Sequence, residues 1–424
     1  MMNLIFFALM ATFVQGQVYP TGNLGVTGFS VQNIVMYLSV VLLVAITASR
    51  GQIGHARVPG LQYLFVIIFI VLVSVVMVDQ FGSMPIDFMI NARDAKSFLF
   101  EPFLLYFASF LLVRDHVHGM KYLAIFVVVV GAINLIWLLM AALNITPTSV
   151  NISAEYYVVR GRFAGFTGNS NKTTYLLCAF LPIQYFFLRY AKGKMGKLIY
   201  TTVILGTVIT VLLSGSRGGL LGIGLVALLM ARLWGDYKRL LVIPAILVSI
   251  TISILLAAEN SYMIQSLERI MLLASADLST ATSSRIAIWS NLFDVYSSNV
   301  RSILIGNGYG VSAFVGMGAR AHNLYIMVLV EFGAIGLILW LVSLGRAVRY
   351  VKGLKLRDEK QVMLKGSVLI SMYLLLVTWV FTTLIGVGEL IGFLMGLSLA
   401  VLTVNPKRKR TLSHQTISSK RSIQ

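Results

Sequence analysis

Arg320-Ala-His-Asn-Leu-Tyr-Ile-Met-Val-Leu-Val-Glu-Phe-Gly-Ala-Ile-Gly336 joins the longest polar segment of the chain to an apolar run. His322 and Asn323 therefore fall at a membrane interface, with a hydrophobic helix just beyond. At about 100° per residue, His322, Gly333 and Gly336 lie within roughly 60° of one another on a continuous helix. The glycines on that stripe would admit a second helix at close range, and the histidine would crown the same face. An interfacial histidine can also simply be solvated, so the rest of the chain has to decide its role.

The 424 residues are 58% hydrophobic and 12% charged. Several apolar runs exceed the length needed to cross a bilayer, and a backbone in lipid must satisfy its own hydrogen bonds. The expected class is an all-α polytopic membrane protein. A net charge of +19 would suggest nucleic acid in a soluble protein; here it reads as loop charge that sets topology, with no nucleic-acid partner. The one cysteine, Cys178, lies in an apolar run, so no disulfide framework or cysteine metal site is expected. The first residues lack the basic start of a signal peptide and read as a short first membrane helix.

Apolar segments fall near 3–14, 31–48, 61–79, 98–113, 121–143, 171–189, 198–213, 217–232, 240–257, 321–344, 365–385 and 389–404. They give about 12 transmembrane helices in one membrane domain, 1–404, followed by a basic tail, 405–424. With both termini in the cytoplasm, 24 of the 34 Lys and Arg residues lie in inside connections. That bias supports twelve spans and this orientation. The tail cluster Pro406-Lys-Arg-Lys-Arg410 reads as a juxtamembrane attraction to anionic lipid.

Segment 258–320 is the large extracytoplasmic loop, and loops of that length usually have a task. Two short helices are expected in it. One covers 261–274; the other starts at Ser283/Ser284, with Ile286, Trp289, Phe293 and Tyr296 on one apolar face. Gly306-Asn-Gly-Tyr-Gly310 then forces turns.

Outside the membrane, eight of the ten basic residues are arginine. Arg grips phosphate bidentately through a rigid fork, so the excess points to an anionic ligand on the outer face, although solvated loop charge explains Arg269 and Arg301 equally well. Three arginine positions stand out. Ser214-Gly-Ser-Arg-Gly-Gly219 opens a helix, and Arg217 there opposes the positive helix end unless an anion joins it. Its serines would add hydroxyl donors, and its glycines would let a ligand approach the backbone. Arg285 occupies the first turn of a loop helix. Arg160-Gly-Arg162 precedes Gly165-Phe-Thr-Gly-Asn-Ser-Asn-Lys172, another turn that opens a helix. All three map to the membrane face that carries His322.

Among the acids, Glu331 lies about 180° around the helix from His322 and is expected to pair within the bundle. Asp79, Glu101 and Glu389 sit near span ends and read as interfacial. Asp277 and Asp294 are the loop carboxylates that could act as bases, and no carboxylate cluster suggests a metal.

These residues resemble the O-antigen ligase/polymerase family of bacterial envelope glycosyltransferases. The resemblance runs through Arg162-Phe-Ala-Gly-Phe-Thr-Gly-Asn-Ser-Asn171, Ser214-Gly-Ser-Arg-Gly-Gly219, Ser284-Arg-Ile-Ala-Ile-Trp289, Gly306-Asn-Gly-Tyr-Gly310 and His322-Asn323. After nine further residues it continues as Gly333-Ala-Ile-Gly336. It is clearest from about residue 155 to 345; the first 150 residues match only as hydrophobic spans.

The resemblance implies a twelve-helix enzyme of the bacterial inner membrane with its active site on the periplasmic face. Such an enzyme takes a glycan from undecaprenyl diphosphate and passes it to an acceptor hydroxyl. A ligase serves the lipid A core; a polymerase serves another repeat unit of O-antigen, capsule or exopolysaccharide. The family's phosphate-binding arginines carry over to Arg162, Arg217 and Arg285, and its catalytic histidine to His322. Arg160, Ser216, Arg320 and Asn323 are expected in support.

The chemistry agrees with elementary expectation. Fixed guanidinium groups stabilise a diphosphate leaving group, and a neutral imidazole can take the acceptor's proton. Direct attack inverts the anomeric carbon, and with arginines neutralising the diphosphate no metal or cofactor is expected. A twelve-span secondary transporter is the main non-enzyme alternative, but it predicts inverted repeats and a polar midplane site, whereas the polar clusters lie at the outer surface. A membrane-embedded peptidoglycan polymerase would use a loop carboxylate, Asp277 or Asp294. The spacing from His-Asn to Gly-x-x-Gly resembles the signature of the ligases, and that resemblance favours ligase.

Overall fold

The computed structural model describes residues 1–18, 31–49, 65–66, 68–75, 95–96, 100–113, 116–142, 163, 165–167, 169–235, 285–315, 322–380 and 388–404. Apart from an isolated bridge at Phe163, their regular structure is helical. In chain order the main helices are α1 (Met2–Val18), α2 (Val31–Ser49), α3 (Glu101–Leu112), α4 (His116–Ala142), α5 (Ser170–Tyr190), α6 (Gly193–Leu213) and α7 (Arg217–Trp234). After a gap come α8 (Arg285–Ser297), α9 (Val300–Ile305), α10 (Val311–Val315), α11 (Leu324–Gly353), α12 (Glu359–Thr378) and α13 (Gly388–Thr403). By length and composition, α4, α6, α11 and α12 can each cross a membrane, and shorter apolar helices accompany them. The protein is an all-helical, multi-pass membrane protein. The expected apolar segment 240–257, the expected loop helix 261–274 and the basic tail 405–424 lie outside the described residues.

Small residues set the helix spacing. On α13, Gly392 and Gly396 face α3; a Cβ on them would stand 2.2 Å from the Pro102 carbonyl oxygen and 2.6 Å from that of Tyr106. On α4 and α6, Gly131 receives Val203 and Gly206 receives Leu135. Where lipid surrounds the bundle, such close contact is what holds helices together. Buried amides add specificity between α4 and α6. Asn134 Nδ2 donates to the Gly206 carbonyl at 3.1 Å, and Thr210 Oγ1 donates to Asn134 Oδ1 at 3.0 Å. Aromatic rings fill the centre: Phe126 packs edge-on to Phe393 with centroids 5.0 Å apart and lies 5.5 Å from Phe180.

Two of the acids lie inside the protein. Glu101, expected near a span end, is buried against the protein rather than solvated: it is 1% exposed, accepts from Tyr37 Oη at 2.7 Å and pairs with Lys96 at 3.1 Å. A carboxylate at a helix start can sink into the bundle when a cation and a phenol follow it. Glu331 is buried and accepts from the Ser312 hydroxyl of the short helix α10, in keeping with an acid paired inside the protein.

The stripe from His322 to Gly336 does not form. Asn323 is the N-cap of α11, so His322 stands outside the helix. Gly333 then breaks the helix with φ 68° and ψ −174°. Only glycine adopts that backbone without steric cost. The break releases the carbonyls of Val330 and Glu331, which a continuous helix would give to residues 334 and 335. They accept instead from Asn307 N at 2.9 Å and Gly308 N at 3.0 Å. The turn Gly306-Asn-Gly-Tyr-Gly310 therefore caps a broken helix, and Gly333 admits the C-terminal end of the short helix α9, at Leu304 and Ile305, against its backbone.

Helix α8 also differs in which face it buries. Leu292 is fully buried, with Ile288 and Tyr296 packed partly against the core, while Ile286 and Phe293 are exposed. The apolar residues of α8 lie on two adjoining stripes, so periodicity alone does not choose between them.

Candidate functional site

The N-termini of α5, α8 and α11 bear on His322, and that of α7 is tied to α5. The first belongs to α5. Asn169 caps it, its side-chain oxygen accepting from Asn171 N at 3.0 Å and Lys172 N at 3.2 Å. The preceding turn, Gly165–Thr167, is tied down by a 2.7 Å contact between the hydroxyls of Thr167 and Thr173. Lys172 thereby sits in the first turn of α5.

The second is that of α7, which opens on Arg217. Ser216 caps it, accepting from Gly219 N at 3.2 Å, and its hydroxyl donates to Asn171 Oδ1 at 2.9 Å. That bond ties α7 to α5. Ser214 donates to the Val211 carbonyl at 2.7 Å and accepts from Ser216 N at 3.1 Å. The hydroxyl hydrogen of Ser214 thus holds the turn, and that of Ser216 holds α5, rather than facing a ligand. The glycines serve packing as well: a Cβ on Gly218 would lie 2.0 Å from the Tyr175 hydroxyl, and one on Gly219 would lie 2.9 Å from Thr174. The sequence reading had these glycines open to a ligand; the side chains of α5 fill that space. Phe163, the residue after Arg162, is buried and donates its N–H to the Leu213 carbonyl at 3.4 Å, just before this turn.

The third is that of α11. Asn323 is buried and accepts from Ile326 N at 3.1 Å, and Leu324 N reaches the Trp379 carbonyl at the end of α12 at 2.8 Å. Both contacts fix the residue before them. His322 has φ 49°, the one positive φ outside glycine among the described residues. A side chain held in the left-handed region is a strained position that surrounding structure must enforce, and such positions concentrate at functional sites. Here the neighbouring cap and the α12 carbonyl enforce it.

The fourth is that of α8, which opens on Arg285. Its guanidinium and the Lys172 ammonium both act on His322. Partial burial holds the imidazole pKa below its ordinary value, and the Arg285 and Lys172 charges push it down further. Near neutral pH the ring is therefore neutral. A neutral imidazole among cations at helix N-termini can accept a proton while an anion sits beside it.

Of the residues singled out in the sequence, the structure brings Arg285, His322 and Asn323 together and joins Ser216 and the Arg217 backbone to the same group through Asn171. Arg160, Arg162 and Arg320 lie outside the described residues. Asp294 is exposed on α8. The sequence reading missed Lys172 and Asn171. The signal was present: Lys172 is a cation in the first turn of a helix, the same anomaly that marked Arg217 and Arg285.

A family model described as O-antigen ligase matches residues 201–341, about a third of the chain. The match takes in the Ser214–Gly219 turn, Arg285, the Gly306–Gly310 turn, His322-Asn323 and the Gly333 break, and it stops short of Arg162 and Lys172. Comparison with curated proteins returns no match. Over residues 201–341 the chain is similar to the O-antigen ligase family.

Proposed function

We propose that the protein is an O-antigen ligase-like membrane glycosyltransferase that moves a glycan from undecaprenyl diphosphate to a hydroxyl of the lipid A core. The observation that carries this reading is His322, constrained to a left-handed backbone and depressed in basicity between Arg285 and Lys172. His322 is the general base. It takes the acceptor's hydroxyl proton as that oxygen attacks the anomeric carbon from the face opposite the diphosphate. The bond from that carbon to the phosphate oxygen breaks, and undecaprenyl diphosphate leaves with the electron pair. Arg162, Arg217, Arg285 and Lys172, with the helix N-termini, neutralise the charge that develops on it. Transfer inverts the anomeric centre and routes no step through a metal. Arg160, Ser216, Arg320 and Asn323 support the cradle.

The site belongs on the periplasmic face of the inner membrane, with twelve spans and both termini cytoplasmic. In support, α11 carries His322 just before its start and Arg346, Arg349 and Lys352 near its end. The positive-inside bias puts that second end in the cytoplasm.

The test is the surface glycan of a deletion strain, complemented with the wild-type gene. Loss of the whole ladder in the deletion, with long chains accumulating on the lipid carrier, supports ligase. A single repeat unit on the core would make the protein a polymerase. An unchanged profile would return the transporter alternative.

A further inference from the structure

We propose that the loop segment 300–310 enters the bilayer as a re-entrant turn, with its apolar side chains on the acyl chains of the outer leaflet. The inference rests on the reading that α11 crosses the membrane and does not depend on the transfer reaction.

The depth of the segment follows from what it touches. A Cβ on Gly333 would lie 2.3 Å from the Leu304 carbonyl oxygen, and one on Gly306 would lie 2.4 Å from that of Glu331. The two backbones are in direct contact at the break in α11. Gly333 lies nine residues past Leu324, the first residue of α11. At 1.5 Å per residue that is about 13 Å along the helix. Even a tilt of about 40° leaves roughly 10 Å of depth.

The helix cannot slide outward to bring Gly333 to the surface. Residues 324–344 carry one charge, Glu331, which Ser312 engages, and they match the roughly 20 residues that span a bilayer. Starting the hydrocarbon at Gly333 instead would pull Arg346, Arg349 and Lys352 into it. Buried cations of that kind are costly.

The segment is also built for lipid. Irregular backbone is tolerated at membrane depth only where protein buries it, as it does Gly306, Gly308 and Tyr309, so that the exposed part is the helical α9. Here Gly306 N donates to the Ser302 carbonyl at 3.0 Å, and Asn307 N and Gly308 N donate to α11. Ser302 Oγ donates to Asn307 Oδ1 at 2.7 Å, and Asn307 Nδ2 donates to the Val330 carbonyl at 3.3 Å. Apart from Arg301, the exposed side chains of α9 are apolar: Val300 is 71% exposed, Leu304 47% and Ile305 43%. Arg301 lies near the start of α9, where its long stem can carry the charge to the headgroups. An inserted α9 also anchors α8, and with it Arg285, at the membrane surface.

The test uses full-length protein in vesicles of phosphatidylethanolamine and phosphatidylglycerol. Nitroxide labels are placed on single cysteines, Ile303→Cys, Leu304→Cys and Ile305→Cys, in a Cys178→Ser background. Collision with oxygen, which enriches in hydrocarbon, is compared with collision with a water-soluble nickel chelate. The expected result is oxygen exceeding chelate at these positions, as at Ile338→Cys on the exposed face of α11, with the reverse at Ser298→Cys. Chelate access at 303–305 with Ile338→Cys still in lipid would overturn the re-entrant turn alone. Chelate access at Ile338→Cys would overturn the spanning role of α11 and the inference together. Shielding from both probes would mean that protein covers the segment, and would overturn it too.

Discussion

Gly306 and Gly333 pack backbone to backbone, each occupying the space where the other's neighbourhood leaves no room for a Cβ. A methyl on Gly333 would lie 2.3 Å from the Leu304 carbonyl oxygen, and one on Gly306 would lie 2.5 Å from Phe332 N. Both residues have positive φ. Gly333→Ala should therefore lower stability by about 1–3 kcal/mol from backbone strain alone, with the steric clash added. Gly345→Ala is the control, because nothing lies within 4 Å of the added methyl. Thermal unfolding of the two variants in detergent, followed by size-exclusion chromatography, checks the difference.

Arg285 and Lys172 both disfavour the protonated form of His322. A base works only when unprotonated, so activity falls as pH drops through its pKa. With that pKa below the ordinary value of about 6.5, the wild-type acid limb should lie below that pH. Arg285→Gln removes one of the opposing charges, so the limb should move to higher pH, whatever happens to the maximal rate. The readout is kcat/KM against pH for both proteins. An unmoved limb would separate Arg285 from His322.

Ser216 caps α7 and ties it to Asn171 at the start of α5. Loss of an N-cap costs about 1 kcal/mol, so Ser216→Ala should destabilise by roughly that amount. It should also weaken donor binding, because Arg217 follows directly. Asn171→Ala should act in the same direction, and the double variant should lose less than the sum. Unfolding midpoints and KM for the lipid-linked donor check both statements.

Gly392 and Gly396 let α13 lie against α3. With Gly392, a Cβ would meet the Pro102 backbone at 2.2 Å, which no side-chain movement relieves. Gly392→Val should therefore separate the helices and cost more than about 2 kcal/mol. Gly224→Val, with nothing within 4 Å of a Cβ, should be tolerated. Monodispersity of the two variants after extraction reads this out.

Much of this architecture is legible in the sequence because lipid imposes a simple rule: apolar runs become helices. The start of α11 was readable from His322-Asn323 and the polar-to-apolar boundary. The break at Gly333 was not, because helical periodicity assumes a continuous helix and cannot report that Asn307 and Gly308 supply the missing donors. Glu101 reads as interfacial for a related reason: its place near a span end is visible, but its burial is not, because its partner Tyr37 comes from 64 residues away. At the site, Arg217 and Arg285 stood out as cations opposing a helix dipole. Lys172 carries the same mark but sits at the tail of a turn rich in asparagine, where a solvated lysine is unremarkable. The serines of the Ser214–Gly219 turn looked like ligand donors because sequence does not show which backbone groups they cap.

One substitution isolates the chemistry of His322 from its conformation. Asparagine also tolerates the left-handed backbone, so His322→Asn should keep the φ of 49° and the fold while removing the base. The measurement is single-turnover glycan transfer by purified wild type and His322→Asn in vesicles loaded with lipid-linked donor and acceptor. A fall of about 10²–10⁴-fold, with the unfolding midpoint unchanged, is expected for loss of a general base. A rate within about twofold of wild type would remove His322 from the proton transfer and leave the cationic cradle as a binding site only.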